Sequence, residues 1–404
     1  MSDAPLNRSE AFVLGVCQQS FLSLWCYNNP RSKPGKELCD ILVICDPDVI
    51  VISVKEIVFN ETKDFEVAHD RWERKAVDAS VKQLYGAQGW LATATQVIRN
   101  DGSAGLNLPP LDRRRLHRIA VALGDKGQAI TKSGDFGEGF VHVMGEDSFR
   151  EVLGQLDTIT DFTDYLLAKE KFAASGTMIV CQGSEANMLG WYLSHERSFP
   201  NGQNVVIFDE TIWPGLQANA SFKRRKEADR ISYAWDRLVE GLADPNAKPI
   251  TGPGPELNQL ELVLRTMARE TRFNRRGLGT HAVSFIEAVR AGKTRSRILA
   301  GPSGVIYVIA YFQPTAAPQD RRAELAARCY IARYLAGKGE IMVGIGLSDH
   351  QPDKGSASDL VYMHFPTWTK EEDAAAQKLQ QDSGYFAQAP IRHVQDDEYP
   401  EAQR

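Results

Sequence analysis

Residues 40–55, DILVICDPDVIVISVK, restrict the possible folds more than any other stretch of the chain. DILVIC and VIVISVK are apolar at nearly every position, so neither strand has a side suited to water, and both belong in a sheet covered on each face. Between them DPDV is a turn signal, read as type I with Asp46 in the first position and Pro47 in the second. The charges at the two ends then need a reason. A two-residue loop puts Asp40 opposite Lys55, and a four-residue loop puts it opposite Ser53. In either register the three side chains share one face, because side chains alternate with a period of two and cross-strand partners lie on the same side. An aspartate and a lysine therefore meet at one end of an apolar sheet.

The flanking sequence shows what covers that sheet. Residues 8–28 read as a helix with Ser9 as N-cap, Glu10 in the first turn, and Val13, Val16, Cys17, Phe21 and Leu24 on the buried stripe. Residues 70–98 read as a second, long helix burying Val77, Val81, Leu84 and Leu91. RLHRIAVALG and GFVHVMG read as strands, and DFTDYLLAKEKF as a short helix. Together these make an α/β domain over residues 1–172. A break is expected at KFAASG, residues 171–176. Beyond it come a strand (TMIVC), a helix opening at Ser184, helical sequence through residue 291, a hairpin around GPSG, a helix (RRAELAARCYIARYLA) and a strand (EIMVGIGL). This is an α+β domain over residues 176–385, followed by a polar tail, 386–404, expected to fray.

A carboxylate beside a lysine at a strand end suits metal-assisted attack on a phosphodiester. The carboxylate holds a divalent cation, and the ammonium steadies developing negative charge or orients water. Oxygen ligands favour Mg²⁺, with Mn²⁺ as the alternative. One aspartate is too few, and Glu10 is the first candidate for a second ligand, because a helix preceding the hairpin can pack its first turn against that sheet end.

The order of helix, antiparallel pair carrying Asp40 and then x-x-Lys55, and following helix resembles the PD-(D/E)XK, or restriction-endonuclease-like, nuclease superfamily over roughly residues 5–150. The continuous text ELCDILVICDPDVIVISVKEI is also similar to bacterial nuclease-like proteins encoded near phage-defence genes. The resemblance implies a mixed sheet flanked by helices, Mg²⁺-dependent endonuclease activity on DNA ahead of RNA, and a place in antiviral defence, as a homodimer or with a partner defence protein. It also implies an accessory role for Gln83 or Lys82 in KQLYGA. The sequence departs from the pattern at Ser53, where an acid is expected two residues before the lysine. Glu10, then Glu56, then Glu37 are the candidates to replace it, Glu56 facing the other way unless the strand bulges. Without a replacement the fold is a catalytically inactive nuclease that binds nucleic acid or a partner protein as a sensor, or an assembly protein in which Asp40 and Lys55 only pair.

The remaining motifs are weaker. SGDFGEG joins two strands with no GK[ST] after it and reads as a loop, while Ser184 in CQGSEAN reads as an N-cap. The histidines are scattered without zinc-ligand spacing, and the six cysteines form no CxxC pair, which fits reduced core thiols in a cytoplasmic protein. The start lacks the regions of a signal peptide, and no apolar run reaches the ~18 residues needed to span a bilayer. With a net charge of −5 there is no global basic field, so nucleic-acid contact needs a local patch. KRRK (223–226), RETRFNRR (269–276) and RAGKTRSR (290–297) supply one, with Lys223, Arg224, Arg225, Arg272, Arg275 and Arg276 as phosphate-contact candidates.

Overall fold

A computed structural model describes residues 7–33, 35–58, 65–124, 133–243, 255–349, 358–387 and 397–401. The chain is mixed α/β and divides into two compact units, Met1–Lys223 and Arg224–Arg404.

The first unit opens with α1 (Arg8–Phe21), then short strands β1 (Cys26–Asn28), β2 (Arg31–Lys33) and β3 (Lys36–Glu37), and the hairpin β4 (Ile41–Cys45) and β5 (Asp48–Glu56). Asn7, not Ser9, caps α1, its side chain accepting from Glu10 N at 2.8 Å. The helix ends at Phe21 rather than running to residue 28, because Leu22 adopts φ 70°. Next come α2 (Phe65–Glu73), a π-helical turn (Arg74–Asp78) and α3 (Ala79–Leu91). The reading of one helix to residue 98 is thus corrected at its end, where β6 (Gln96–Ile98) and β7 (Ala104–Asn107) join β2 and β3 in a small sheet of order β3-β2-β6-β7. Val97 is buried in that sheet, an environment the helical pattern did not anticipate.

The central sheet is completed by β8 (Arg115–Leu123), β9 (Gly134–Asp135) and β10 (Phe140–Gly145), in the order β1-β4-β5-β8-β10-β9. It is mixed: β5, β8 and β10 run parallel, while β1, β4 and β9 pair antiparallel to their neighbours. Every residue of β4, and β5 through Val54, is buried, as strands apolar on both faces require. Each of these aliphatic side chains contributes roughly 1.5–3 kcal/mol by leaving water. The α3 helix lies on the face carrying Ser53 and Lys55, seen in the Ser53–Ser80 contact and in the bond from Arg118 to Gln88. On the other face lie α1, through Ser9 and Glu56, and α5 (Ile159–Ala173), through Glu170 and His142, after α4 (Glu146–Gln155).

The hairpin turn differs from the type I reading. Its two loop residues are Asp46 and Pro47, joined by a cis peptide bond, one position earlier than expected. Cys45 pairs with Asp48 and Ile41 with Ile52, so Asp40 continues the register to face Ser53 rather than Lys55.

The expected break at 171–176 lies inside the first unit. There β11 (Met178–Cys181), α6 (Glu185–Ser194) and β12 (Val205–Phe208) form a parallel β-α-β unit. It is fastened to α5 by a shared core of Phe172, Met188, Val206 and Phe208, and by buried Lys169, whose Nζ lies 2.6 Å from both Glu185 carboxylate oxygens. Two more helices, α7 (Ile212–Ala218) and α8 (Ala220–Asp229), follow.

In the second unit α9 (Tyr233–Ala243), α10 (Pro255–Ala268) and α11 (Arg272–Arg290) precede β13 (Ser296–Ala300) and β14 (Ile306–Tyr311), the hairpin read from GPSG. After α12 (Pro318–Ala336) come β15 (Ile341–Leu347), β16 (Ser358–His364) and α13 (Lys370–Ser383), the sheet order being β13-β14-β15-β16. Its core gathers Ile306, Val308, Leu325, Cys329 and Met342. Of the tail expected to fray, residues 388–396 and 402–404 lie outside the described residues, but Asp397–Glu401 is held by arginine contacts described below. Among the described residues no helix is long and apolar enough to cross a membrane.

Candidate active site

Asp40 stands immediately before β4 and Lys55 one residue from the end of β5, so both lie at the carboxyl end of the parallel strands β5, β8 and β10. In open α/β sheets this is the end where ligands bind, because helices cover the faces and the loops leave a crevice. The strand ends are closely packed: Ile57 N donates to Leu123 O at 3.0 Å, and a Cβ on the following Gly124, at φ +83°, would meet Ile57 O at 2.8 Å.

Asp40 is nearly enclosed, its side chain 5% exposed, whereas Lys55 is 32% exposed, and Lys55 Nζ lies 3.6 Å from Asp40 Oδ2. The same Oδ2 accepts from Val54 N, and Oδ1 accepts from Gln83 Nε2 at 3.3 Å. Ser53, where an acid was expected, is fully buried. Its hydroxyl donates to Gln83 Oε1 at 2.8 Å and sits 3.2 Å from Ser80 Oγ. By occupying the amide oxygen, Ser53 leaves the amide nitrogen of Gln83 directed at Asp40.

Of the three replacement acids, Glu37 is the one hydrogen-bonded to Asp40. Its pKa is raised to about 7. Desolvation contributes most, followed by the hydrogen bond shared with Asp40, the Asp40 charge and the Glu10 charge, with Lys55 opposing them. Glu37 and Asp40 thus meet beside the Lys55 ammonium. Glu10 is near enough for its charge to act on Glu37, and Asn7 holds it through both its backbone N–H and its carboxylate. Glu56 points to the opposite face, as strand parity requires, and accepts from Ser9 Oγ. Lys82 is exposed and lines a separate cavity of about 500 Å³ with Asp78, Val81, Tyr85, Phe136 and Glu138.

Among the described residues, the group of three ligand-type side chains whose donor atoms converge is His69, Asp70 and Glu73 on α2, and not Asp40 with Glu37 and Glu10. Its members lie within about one helical turn of each other and are half or fully exposed, with His69 Nδ1 3.8 Å from Glu73. Nothing read from the sequence pointed to it. Buried pairs on the far face of the sheet were also missed: Asp48 with His117 (2.9 Å) and Arg115 (2.8 Å), and His142 with Glu170 (2.9 Å). Their signal was the placing of His117 and His142 at alternate, inward positions of strands.

The basic residues proposed for phosphate contact are corrected by their burial. Arg225, Arg272, Arg275 and Arg276 are between 1% and 4% exposed. Arg272 and Arg275 clamp Asp236 at 2.8 and 2.6 Å, and Arg276 binds Asp229 at 2.8 Å. Arg224 is half-buried and donates to Pro400 O, leaving Lys223 as the exposed member of the six. The helices turned these cations inward because acids at Asp229 and Asp236 were there to receive them.

No protein-family model, no curated protein and no solved structure matches the chain.

Proposed function

We propose that the first unit is a restriction-endonuclease-like nuclease that hydrolyses DNA with Mg²⁺ or Mn²⁺. The observation that carries the reading is the grouping of Asp40, Glu37 and Lys55 at the carboxyl end of the parallel strands, with Lys55 Nζ 3.6 Å from Asp40 Oδ2 and Glu37 hydrogen-bonded to Asp40. An oxygen-only donor set suits a hard divalent cation. Asp40 and Glu37 are the residues to hold the ion, with Glu10 as a third carboxylate. Bound there, the cation supplies a Lewis acid for the phosphoryl oxygen and a water of lowered pKa. Lys55 faces the same point from the half-open side, where it steadies negative charge on the phosphate or orients the water. Gln83 and Val54 N fix the Asp40 carboxylate, with Ser53 acting through Gln83.

Incubating the full chain with plasmid and with single-stranded DNA, in Mg²⁺, in Mn²⁺ and in chelator, tests this directly. Metal-dependent cleavage supports the reading; its absence in every condition removes it. A specific observation favours one alternative, an inactive nuclease fold that senses nucleic acid or a partner. The Ser53 position carries no acid, and Asp40 Oδ2 is already engaged by Val54 N and Lys55. In that case binding persists without cleavage and weakens steeply with salt if the ligand is nucleic acid.

A further inference from the structure

We propose that Arg224, Arg225 and Arg276 form a docking seat for a partner protein's peptide in which an acidic residue precedes Tyr-Pro, and that the chain's own Asp397–Glu401 fills the seat in cis. The proposal is independent of the cleavage chemistry, since every residue in it belongs to the second unit.

The contacts read like peptide recognition. Arg276 Nη1 donates to Asp397 O at 2.9 Å and Nη2 to Glu398 O at 3.0 Å, while Arg224 Nε donates to Pro400 O at 2.9 Å. Three guanidinium bonds along the main chain fix the direction and register of the segment. The side chains add selectivity. Glu398 Oε1 lies 3.2 Å from Arg225 Nη2, and Arg225 stands over the Tyr399 ring at 5.3 Å while donating to its hydroxyl at 3.3 Å. Cation–π contact and charge pairing of this kind gain strength away from water, and Arg225 and Arg276 are 2% and 4% exposed with the segment in place.

The seat receives acids from both sides. Asp229 lies 2.8 Å from Arg276 and 3.6 Å from Arg225, and Glu398 lies 3.2 Å from Arg225. Glu398 and Tyr399 bend ahead of Pro400, whose fixed φ narrows the conformations open to the free segment and so lowers the ordering cost of binding. A nucleic-acid strand would satisfy the charge. It would not supply the carbonyl oxygens that three of these bonds address, and this favours a peptide.

Tethering gives the chain's own segment a high effective concentration, so a competing peptide must match its pattern and gains access when the segment leaves. The test is titration of fluorescein-labelled QDDEYPEAQR, residues 395–404, into the full chain and into a chain lacking residues 397–404. Expected is saturable binding to the shortened chain and binding at least about tenfold weaker to the full chain, whose seat is filled. Tyr399→Ala in the peptide and Arg276→Gln in the shortened chain should each abolish it. If the shortened chain does not fold, the full-length double variant Glu398→Ala, Tyr399→Ala takes its place and should bind the peptide at least about tenfold more tightly than the wild-type chain. Absence of binding to the folded variant, equal binding to the full chain, or retention of a labelled oligodeoxynucleotide that the peptide fails to displace would each overturn the proposal.

Discussion

Asp40 with Lys55 at the end of the first unit's sheet, and Asp236 with Arg272 and Arg275 in the second unit's helices, are both acid–base groupings beside apolar cores, and they are built for different ends. Around Asp236 two guanidiniums converge on one carboxylate at 2.6 and 2.8 Å, and both arginines are almost wholly buried. Every charge there has a fixed partner. At Asp40 the lysine stands 3.6 Å away and is a third exposed, and a second carboxyl group, Glu37, crowds the first. Like charges set together on a half-open side hold no structural advantage. Saturation of pairing, not the density of charge, marks the Asp236 grouping as a strut and leaves the Asp40 grouping open to a ligand.

The largest effect is expected at Asp40. Asp40→Asn keeps the shape and removes the charge, and cleavage of DNA in Mg²⁺ should fall at least about a thousandfold, equivalent to about 4 kcal/mol of barrier. Glu37→Gln should fall similarly, and either variant cutting at the wild-type rate would reduce the cluster to a surface pairing.

The strut is tested by Asp236→Ala, which leaves two buried guanidiniums without their carboxylate. The urea midpoint should report a loss of about 3–5 kcal/mol, with no direct effect on the chemistry at Asp40. A loss under 1 kcal/mol would mean that these arginines are less committed than their burial implies.

A third measurement uses His142, whose pKa burial lowers from 6.5 to about 4, against a raising contribution from its bond to Glu170. The folded chain therefore keeps His142 neutral, while the unfolded chain protonates it below pH 6.5. Stability from this group is complete above pH 6.5 and falls as the pH drops toward 4, by up to about 3 kcal/mol. Urea midpoints between pH 7.5 and 4.5 should decline more steeply for the wild type than for His142→Gln; parallel declines would refute the assignment.

The smallest effect on stability belongs to Lys55→Ala. For a partly exposed pair the loss should be no more than about 1 kcal/mol, while cleavage is abolished. Thermal midpoints and plasmid assays on the same sample separate the two.

Much of the first unit was legible. The hairpin, β8, β10 and the helices on either side follow from periodicity, because apolar positions repeat at 2.0 in strands and 3.6 in helices regardless of what they contact. Short strands escaped: β2, β3 and β6 have two or three residues each, too few to show a period. At the site, Asp40, Lys55 and Gln83 were named from the sequence and stand together, with distances of 3.6 and 3.3 Å to Asp40. Glu37, ranked last, is the acid in contact with Asp40, because β3 pairs in the small sheet and returns the chain beside the hairpin's end.

Burial of the hairpin on both faces, and the placing of Asp40, Ser53 and Lys55 on one of them, follow from residue order, since strand alternation is a property of the covalent chain. The same alternation turns Glu56 away. Tertiary structure alone decided which acid would meet Asp40 and which arginines would meet water. Those outcomes depend on contacts between residues far apart in the chain, such as Arg276 with Asp229 and Glu398, whose pairing leaves no trace in local spacing. A run of cations reads the same whether it lies on a surface or is drawn inside by distant carboxylates, and only the assembled fold supplies the carboxylates.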